Sequence, residues 1–442
     1  MSNRVIRLGG SHIGNPNSIQ NLNQFLVKTN DQKFVVVSAI PQLLALVEQS
    51  LSNVFLNNLD TGALADKLNS FYTERLGEAI SNNYQLLVEQ FTNLLKGIVL
   101  IGDYSPSLKD QIISFSEKFS VEILKIQWNK ITSDVQVLLP EEIDLISTPD
   151  FGSSTFLCVD KSKVSGTSKS IVLIPGTYGI TEEKKIARTG KTSADYTAAF
   201  LTRELEAAKL ELWDLDNDFQ RAKPEIVKNP PVIERLTYSE ASELAYFEHY
   251  SFHPRTVEPL EHEHIPIQVI NSSTAEGKID TIINTETFVE DQIVKSVACT
   301  EDISLLKLDG PGVGLKPGIL AKVTTKLNDA GINIKSVITS QTSINLVLEK
   351  ATGDKALKLI NQLGFSAVKE ISVEKDVSLI GVVGHGMQYN YGVSAKIFSA
   401  VASNKINVLL SGSGASDLVS YLVVRTSDKE KSVREIYAAF FK

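Results

Sequence analysis

Of 442 residues, 43% are hydrophobic and 22% charged, which supplies core for two or three packed domains and excludes disordered or collagen-like chains. The 44 Lys and Arg against 52 Asp and Glu leave a formal net charge of −8, so no basic face for a polyanion is indicated and nucleic acid is not an expected partner. No apolar run reaches the roughly eighteen residues of a membrane span, and the start lacks a signal-type apolar stretch, so a cytoplasmic protein without membrane attachment is expected.

The first β-rich run, residues 5–8, ends directly on Gly9-Gly10-Ser11. Glycines at a strand end let backbone N–H groups approach a phosphate, and a following helix start adds its positive dipole end; a tight strand-end turn is the plainer alternative. A second run follows at 34–37, and 51–122 reads as largely helical, with Leu86, Leu87, Phe91, Leu94 and Leu95 on one face. Cys158 and Cys299 stand too far apart for a CxxC metal or redox site, and two cysteines make no disulfide framework. Both read as buried small hydrophobes. Further runs at 171–174, 210–213 and 267–270 alternate with helical patterns, which predicts a mostly parallel sheet covered by helices.

Between two of these runs lies Arg188-Thr189-Gly190-Lys191-Thr192-Ser193-Ala194-Asp195. It is not a Walker A loop, because the first glycine of GxxxxGK would fall on Lys185. Lys191 and Asp195 nonetheless put a cation and an anion just before a helix predicted to begin near Tyr196; a solvated helix cap is the alternative. His253, ahead of a proline, is expected to be a structural hydrogen-bonding residue, and His262 and His264 surface residues, with metal binding less favoured. A short polar and acidic stretch between Asn284 and Gln292 predicts a domain boundary.

Beyond it, residues 74 positions apart match without a gap: Asp302-Ile303-Ser304-Leu305 with Asp376-Val377-Ser378-Leu379, Gly318 with Gly392, Ala321-Lys322 with Ala395-Lys396, and Ile332-Asn333 with Ile406-Asn407. Two copies of one module follow each other. In the first, a strand at 303–308 meets a Gly/Pro loop and a helix with Ile319, Leu320, Val323 and Leu327 at helical spacing, then β-rich runs at 334–338 and 344–348. Strand, helix, strand, strand, helix is the ferredoxin-like pattern.

Taken in order, these pieces resemble the aspartokinase family. The match is closest at Phe252-His253-Pro254-Arg255-Thr256-Val257-Glu258-Pro259, against the family's LHPRTVEP. It extends to Gly9-Gly10 of KFGG, Val35-Val36-Val37-Ser38-Ala39 of VVVSA, Glu117 to Ser120 of GExxS, Asp195-Tyr196-Thr197-Ala198-Ala199 of GRGGSDYTAA, and the Trp213 to Pro224 segment of WTDVDGIYTADP. The repeats resemble ACT domains.

The resemblance implies an α/β fold: an amino-acid-kinase (carbamate-kinase-like) αβα sandwich with a mostly parallel sheet over residues 1–286, followed by two ferredoxin-like ACT domains at 293–366 and 367–442. It implies transfer of the ATP γ-phosphoryl group to the β-carboxylate of L-aspartate, the first step towards lysine, threonine and methionine, with Mg²⁺ on the phosphates. Arg7, Lys191 and Asp195 fall on catalytic positions, and Ser38, Glu117 and Lys191 on substrate-binding ones. Gly9, Gly10, Asp214, Asp216, Arg221 and Pro224 fall on nucleotide-binding positions. An amino-acid effector, lysine or threonine, is expected at Gly314, Leu315, Lys316, Ser340 and Gln341, and ACT pairing implies a homodimer or larger assembly. No dedicated protein metal site is expected.

The departures concentrate on the chemistry. The KFGG lysine is Arg7, the arginine of GRGGSD is Lys191, its two glycines are Thr192 and Ser193, and its serine is Ala194. A guanidinium and an ammonium differ in reach and in bidentate capacity. Three readings follow: a divergent aspartokinase, a kinase for another carboxylate, or a catalytically impaired paralogue acting as an amino-acid-sensing regulatory protein.

Overall fold

The structure, a computed structural model, describes residues 3–14, 22, 31–54, 59–132, 134–214, 219–247, 252–271, 278–286, 293–413 and 416–441. The chain divides into two compact units. The first takes 1–218, 234–242 and 251–286; the second takes 219–233, 243–250 and 287–442.

In the first unit, the apolar runs become neighbouring strands of one sheet. Its order is Arg235–Thr237, Lys278–Asn284, Ile267–Asn271, Leu210–Asp214, Asn3–Leu8, Gln32–Val37, Ile171–Pro175 and Val135–Val137. Every adjacent pair is parallel except Ile267–Asn271 with Lys278–Asn284. The inner strands are buried on both faces, as continuous runs such as Phe34-Val35-Val36-Val37 require. Helix Ala194–Glu204 packs on the sheet, and Gly176 is what lets it come close: a Cβ there would stand 2.6 Å from Ala194 Cβ and 2.9 Å from Val36 Cγ1.

A helical layer from Pro41–Asn53, Thr61–Leu76, Asn82–Ile101 and Pro106–Asn129 closes a core around Tyr72, Tyr84, Phe91, Phe119 and Trp128. Its boundaries have local causes. Asp60, Ser81 and Ser105 cap helix starts with their side chains, while Gly77 and Gly102, at φ 65° and 76°, end two helices in the left-handed region. The inner face of Asn82–Ile101 is Tyr84, Val88, Phe91, Leu95 and Ile98, three or four residues apart. Leu86, expected on that face, is instead 52% exposed, since it lies half a turn from Tyr84. A small second sheet, ordered Phe156–Cys158, Ile146–Ser147, Tyr178–Ile180 and Ile186–Arg188, lies in the same unit.

The second unit holds two four-stranded antiparallel sheets. One is ordered Ile334–Thr339, Ser343–Leu348, Ser304–Asp309 and Glu370–Glu374, over a core shared with helices Ile319–Asp329 and Gly353–Asn361. The other is ordered Val294–Thr300, Val377–Gly384, Val419–Arg425 and Leu410–Gly412, over helices Val393–Ser403 and Lys429–Phe441. The strands are therefore shared out differently from the linear copies. Val294–Thr300, at the start of the expected first module (293–366), pairs with Val377–Gly384 of the second, and Glu370–Glu374, at the start of the expected second module (367–442), completes the first sheet. Hydrogen bonding of an edge strand, which sequence spacing does not specify, decides this exchange.

The repeated Gly318 and Gly392 occupy equivalent places, each preceding a helix with φ near 85° (87° and 83°), a conformation that favours glycine. Leu320 departs from its expected buried stripe and is 37% exposed, whereas Ile319, Val323 and Leu327 are buried. Of the cysteines, Cys299 is buried, but Cys158 is exposed because it ends an edge strand. Among the described residues, no helix is long and apolar enough to cross a membrane.

Candidate active site

Parallel strands leave their carboxyl ends on one side of a sheet, where loops diverge and ligands are usually held. Here a cavity of ≈ 460 Å³ opens at those ends. It is lined by Arg7, Gly9, Gly10, Ser38, Ala39, Pro41, Glu117, Thr177, Arg188, Lys191, Asp195 and Asp214, among others. Gly10 makes the crossing of two loops possible, since a Cβ on it would fall 2.1 Å from the carbonyl oxygen of Ala39. The backbone is thus bare where the first strand turns into helix Gly10–Gly14.

Arg7, near the end of strand Asn3–Leu8, is buried between two carboxylates. Its Nη1 and Nη2 reach Asp214 Oδ1 and Oδ2 at 2.6 and 2.7 Å, and its Nε stands 2.5 Å from Asp195 Oδ1. Such a two-pronged pair holds a guanidinium in one plane. Asp195 is fully buried in the first turn of helix Ala194–Glu204, so it is no solvated cap, and its Oδ2 also accepts the His253 N–H at 3.3 Å. Burial pushes its carboxyl up to about 6, with Asp214 adding to that and Arg7 opposing it.

Helix Pro106–Asn129 is buried along most of its length, and its serines satisfy themselves: Ser116 Oγ donates to Ile113 O and Ser120 Oγ to Ser116 O. Glu117 is the charged residue it brings to the cavity, at 1% exposure. The Thr177 N–H donates to Glu117 Oε2 at 3.0 Å. Desolvation pushes Glu117 up to about 7, against the lowering effects of Arg188 and of that hydrogen bond.

Arg188 ends strand Ile186–Arg188, where its N–H donates to buried Asp110 Oδ2 at 2.8 Å; the same oxygen accepts the Gly152 N–H at 2.8 Å. Asp110 therefore fixes the backbone from which the Arg188 side chain extends. That side chain is buried, yet Nη2 makes only 3.5 Å contacts, to Thr177 Oγ1 and Gly190 O, and Nε has no hydrogen-bond partner among the described residues.

Of the residues singled out by sequence, Arg7, Gly9, Gly10, Ser38, Glu117, Lys191, Asp195 and Asp214 share this one cavity. Lys191 is exposed, at a turn in which Thr192 takes φ 53°. Asp216 lies outside the described residues. Arg221 and Pro224 do not line the cavity and belong to the second unit. Arg221 lies over the Phe441 ring at 5.0 Å and its carbonyl accepts the Val297 N–H, while Pro224 is exposed. Sequence reading assigned no role to Arg188, Thr177 or Asp110. An arginine three residues before Lys191 was the one available signal, and nothing local marks the other two.

In the second unit a cavity of ≈ 460 Å³ is lined by Gly314, Lys316, Ser340 and Gln341 together with Val313, Thr339 and Ile344. Leu315 does not line it and is 72% exposed. Gly314 donates to Gln341 O at 2.9 Å, and a Cβ on it would stand 2.7 Å from Gln341 Cα.

The amino acid kinase family matches residues 3–271, and ACT domain families match 298–362 and 380–440. Aspartokinase 2, chloroplastic, of Arabidopsis thaliana is 28% identical over 80% of this chain and 68% of its own length. The bifunctional aspartokinase/homoserine dehydrogenase of Buchnera aphidicola is 24% identical over 99% of this chain, which spans only 56% of that relative's length. Among solved structures, E. coli aspartokinase III in complex with aspartate and ADP shares the fold across the whole of both chains, with a TM-score of 0.85 at 21% identity.

Proposed function

Because the chain belongs to the amino acid kinase family and carries two ACT domains behind its kinase fold, we propose that it is an aspartokinase, transferring the ATP γ-phosphoryl group to the β-carboxylate of L-aspartate. The supporting observation is the gathering, in one cavity at the strand ends, of a buried carboxylate, two buried guanidiniums, an acidic pair and bare glycine backbone. A carboxylate acceptor is already ionised at neutral pH, so the site needs no strong general base. Its work is positioning and charge neutralisation.

In this reading Glu117 faces the acceptor's ammonium group, and Ser38 offers a hydroxyl beside it. Gly9 and Gly10 present backbone to the phosphates, and exposed Lys191 attracts both anionic reactants at the rim. Asp195 and Asp214 fit the Mg²⁺ that accompanies ATP, because magnesium is commonly held by one or two carboxylates with phosphate oxygens completing its shell. When bound, the ion would supply positive charge to the transferring group. Lysine or threonine is the proposed effector at the cavity of Gly314, Lys316, Ser340 and Gln341. A cytoplasmic homodimer or larger assembly is the proposed form.

One observation favours the second reading, a regulatory protein without turnover. Both Nη groups of Arg7 are engaged by Asp214, so this cation is committed to the acidic pair where the family's lysine serves the phosphates. Aspartyl phosphate, trapped as the hydroxamate after incubation with ATP, Mg²⁺ and L-aspartate, decides between them. Turnover that falls by about two orders of magnitude in Asp195→Asn supports the kinase. Absence of turnover, with a thermal shift on adding lysine or threonine, supports the regulator.

A further inference from the structure

We propose that Arg188, rather than Lys191, receives the α-carboxylate of the amino-acid acceptor, and that Arg188 and Glu117, joined through Thr177, form a cradle for a free α-amino acid. The proposal rests on the reading of this cavity as an acceptor site. It assigns the carboxylate-binding role to a residue outside the GRGGSD-like motif.

Four features carry it. Arg188 is 9% exposed, lines the cavity, and has no carboxylate within ion-pair distance among the described residues. Its hydrogen bonds are two long contacts at 3.5 Å, and Nε has none. A buried guanidinium left this poorly matched is costly, and a ligand carboxylate presenting two oxygens to its fork would relieve that cost. Its position is also enforced from behind, because Asp110 grips the Arg188 N–H at 2.8 Å.

Thr177 sets the spacing. Its backbone N–H donates to Glu117 Oε2 at 3.0 Å while its Oγ1 stands 3.5 Å from Arg188 Nη2. One residue therefore separates an anion from a cation, the arrangement complementary to the ammonium and carboxylate on a single α-carbon. Lys191, by contrast, is exposed on a turn and has only one cationic centre. The motif's lost guanidinium is thus replaced from the adjoining strand.

The test measures L-aspartate binding to the full chain by calorimetry, counting as cavity binding only what Glu117→Gln abolishes. Arg188→Met is expected to weaken it by about 30-fold or more, Arg188→Lys by less, and Lys191→Met by less than about fivefold. The ligand-free Arg188→Met protein should melt no lower than wild type, which a purely structural arginine would not allow. Preference for L-aspartate over its α-amide should vanish in Arg188→Met. A large loss in Lys191→Met with Arg188→Met near wild type, or a lowered melting point with affinity retained in Arg188→Lys and Arg188→Met alike, overturns the proposal. Wild type that binds another free α-amino acid but not aspartate, with Arg188→Met abolishing that binding, keeps the cradle and sinks the aspartokinase reading. No Glu117-dependent binding of any α-amino acid sinks both.

Discussion

Single residues carry the electrostatic cost of this site, and Glu117 shows how large it is. Its carboxyl sits at about 7 in the folded chain against 4.5 for an ordinary glutamate, chiefly through desolvation. The folded state consequently holds the proton more tightly between these two values. As pH rises through that window ionisation removes stability, by about 3 kcal/mol in all, and below it the penalty is absent. Glu117→Gln, which cannot ionise, is expected to melt above wild type at pH 8, with the margin shrinking towards pH 5. A margin independent of pH across that range would show that Glu117 is not the titrating group. A binding site keeps such a residue for what it does to a ligand. Glu117 was legible in the sequence through its GExxS-like setting, but its burial was not. Arg188 was not recognised at all, because its role comes from neighbours 11 and 78 residues away, Thr177 and Asp110.

At the level of elements, the cavity depends on how closely helix Ala194–Glu204 approaches the sheet. Gly176 follows strand Ile171–Pro175 and meets that helix with no room for a methyl group; its carbonyl also accepts the Thr197 hydroxyl. Gly176→Ala is expected to destabilise the protein by about 1–3 kcal/mol and to weaken aspartate binding, because Asp195 moves with its helix. Denaturant unfolding beside calorimetry checks this, and unchanged stability would mean the helix relaxes without strain. The elements themselves were largely written in local pattern. The five apolar runs all became strands of the main sheet, and the His253 ring accepts the Arg255 N–H as a cap, as its place before Pro254 suggested. Leu86 and Leu320 escaped the pattern, since counting apolar residues does not by itself fix the phase of a helical face.

For the whole molecule, the second unit has a cavity of its own, so ligand binding there is measurable without turnover. Lysine or threonine at about a hundred times its Kd is expected to add about 2.7 kcal/mol of stability to the full chain, read as a rise in melting temperature. Gly314→Ala should abolish that rise while leaving aspartate binding intact, because its Cβ would strike the backbone of Gln341. A rise that survives the substitution places the effector elsewhere. Pairing in the folded chain joins segments across the expected divisions at 286, 293 and 367: Ala222 bridges to Val297, and Val294–Thr300 joins the second module's sheet.

The sequence by itself determined five strands of the main sheet, the doubling of the regulatory module, the family and the choice of eight residues that line one cavity. These rest on periodicity and on contiguous motifs, which are local. Tertiary structure alone decided that Arg7 is gripped by Asp195 and Asp214, that Val294–Thr300 crosses between modules, and that Arg188 stands buried with no carboxylate within ion-pair distance of its guanidinium among the described residues. Each depends on burial and pairing between segments far apart in the chain, where desolvation and hydrogen-bond satisfaction, rather than local pattern, set the outcome.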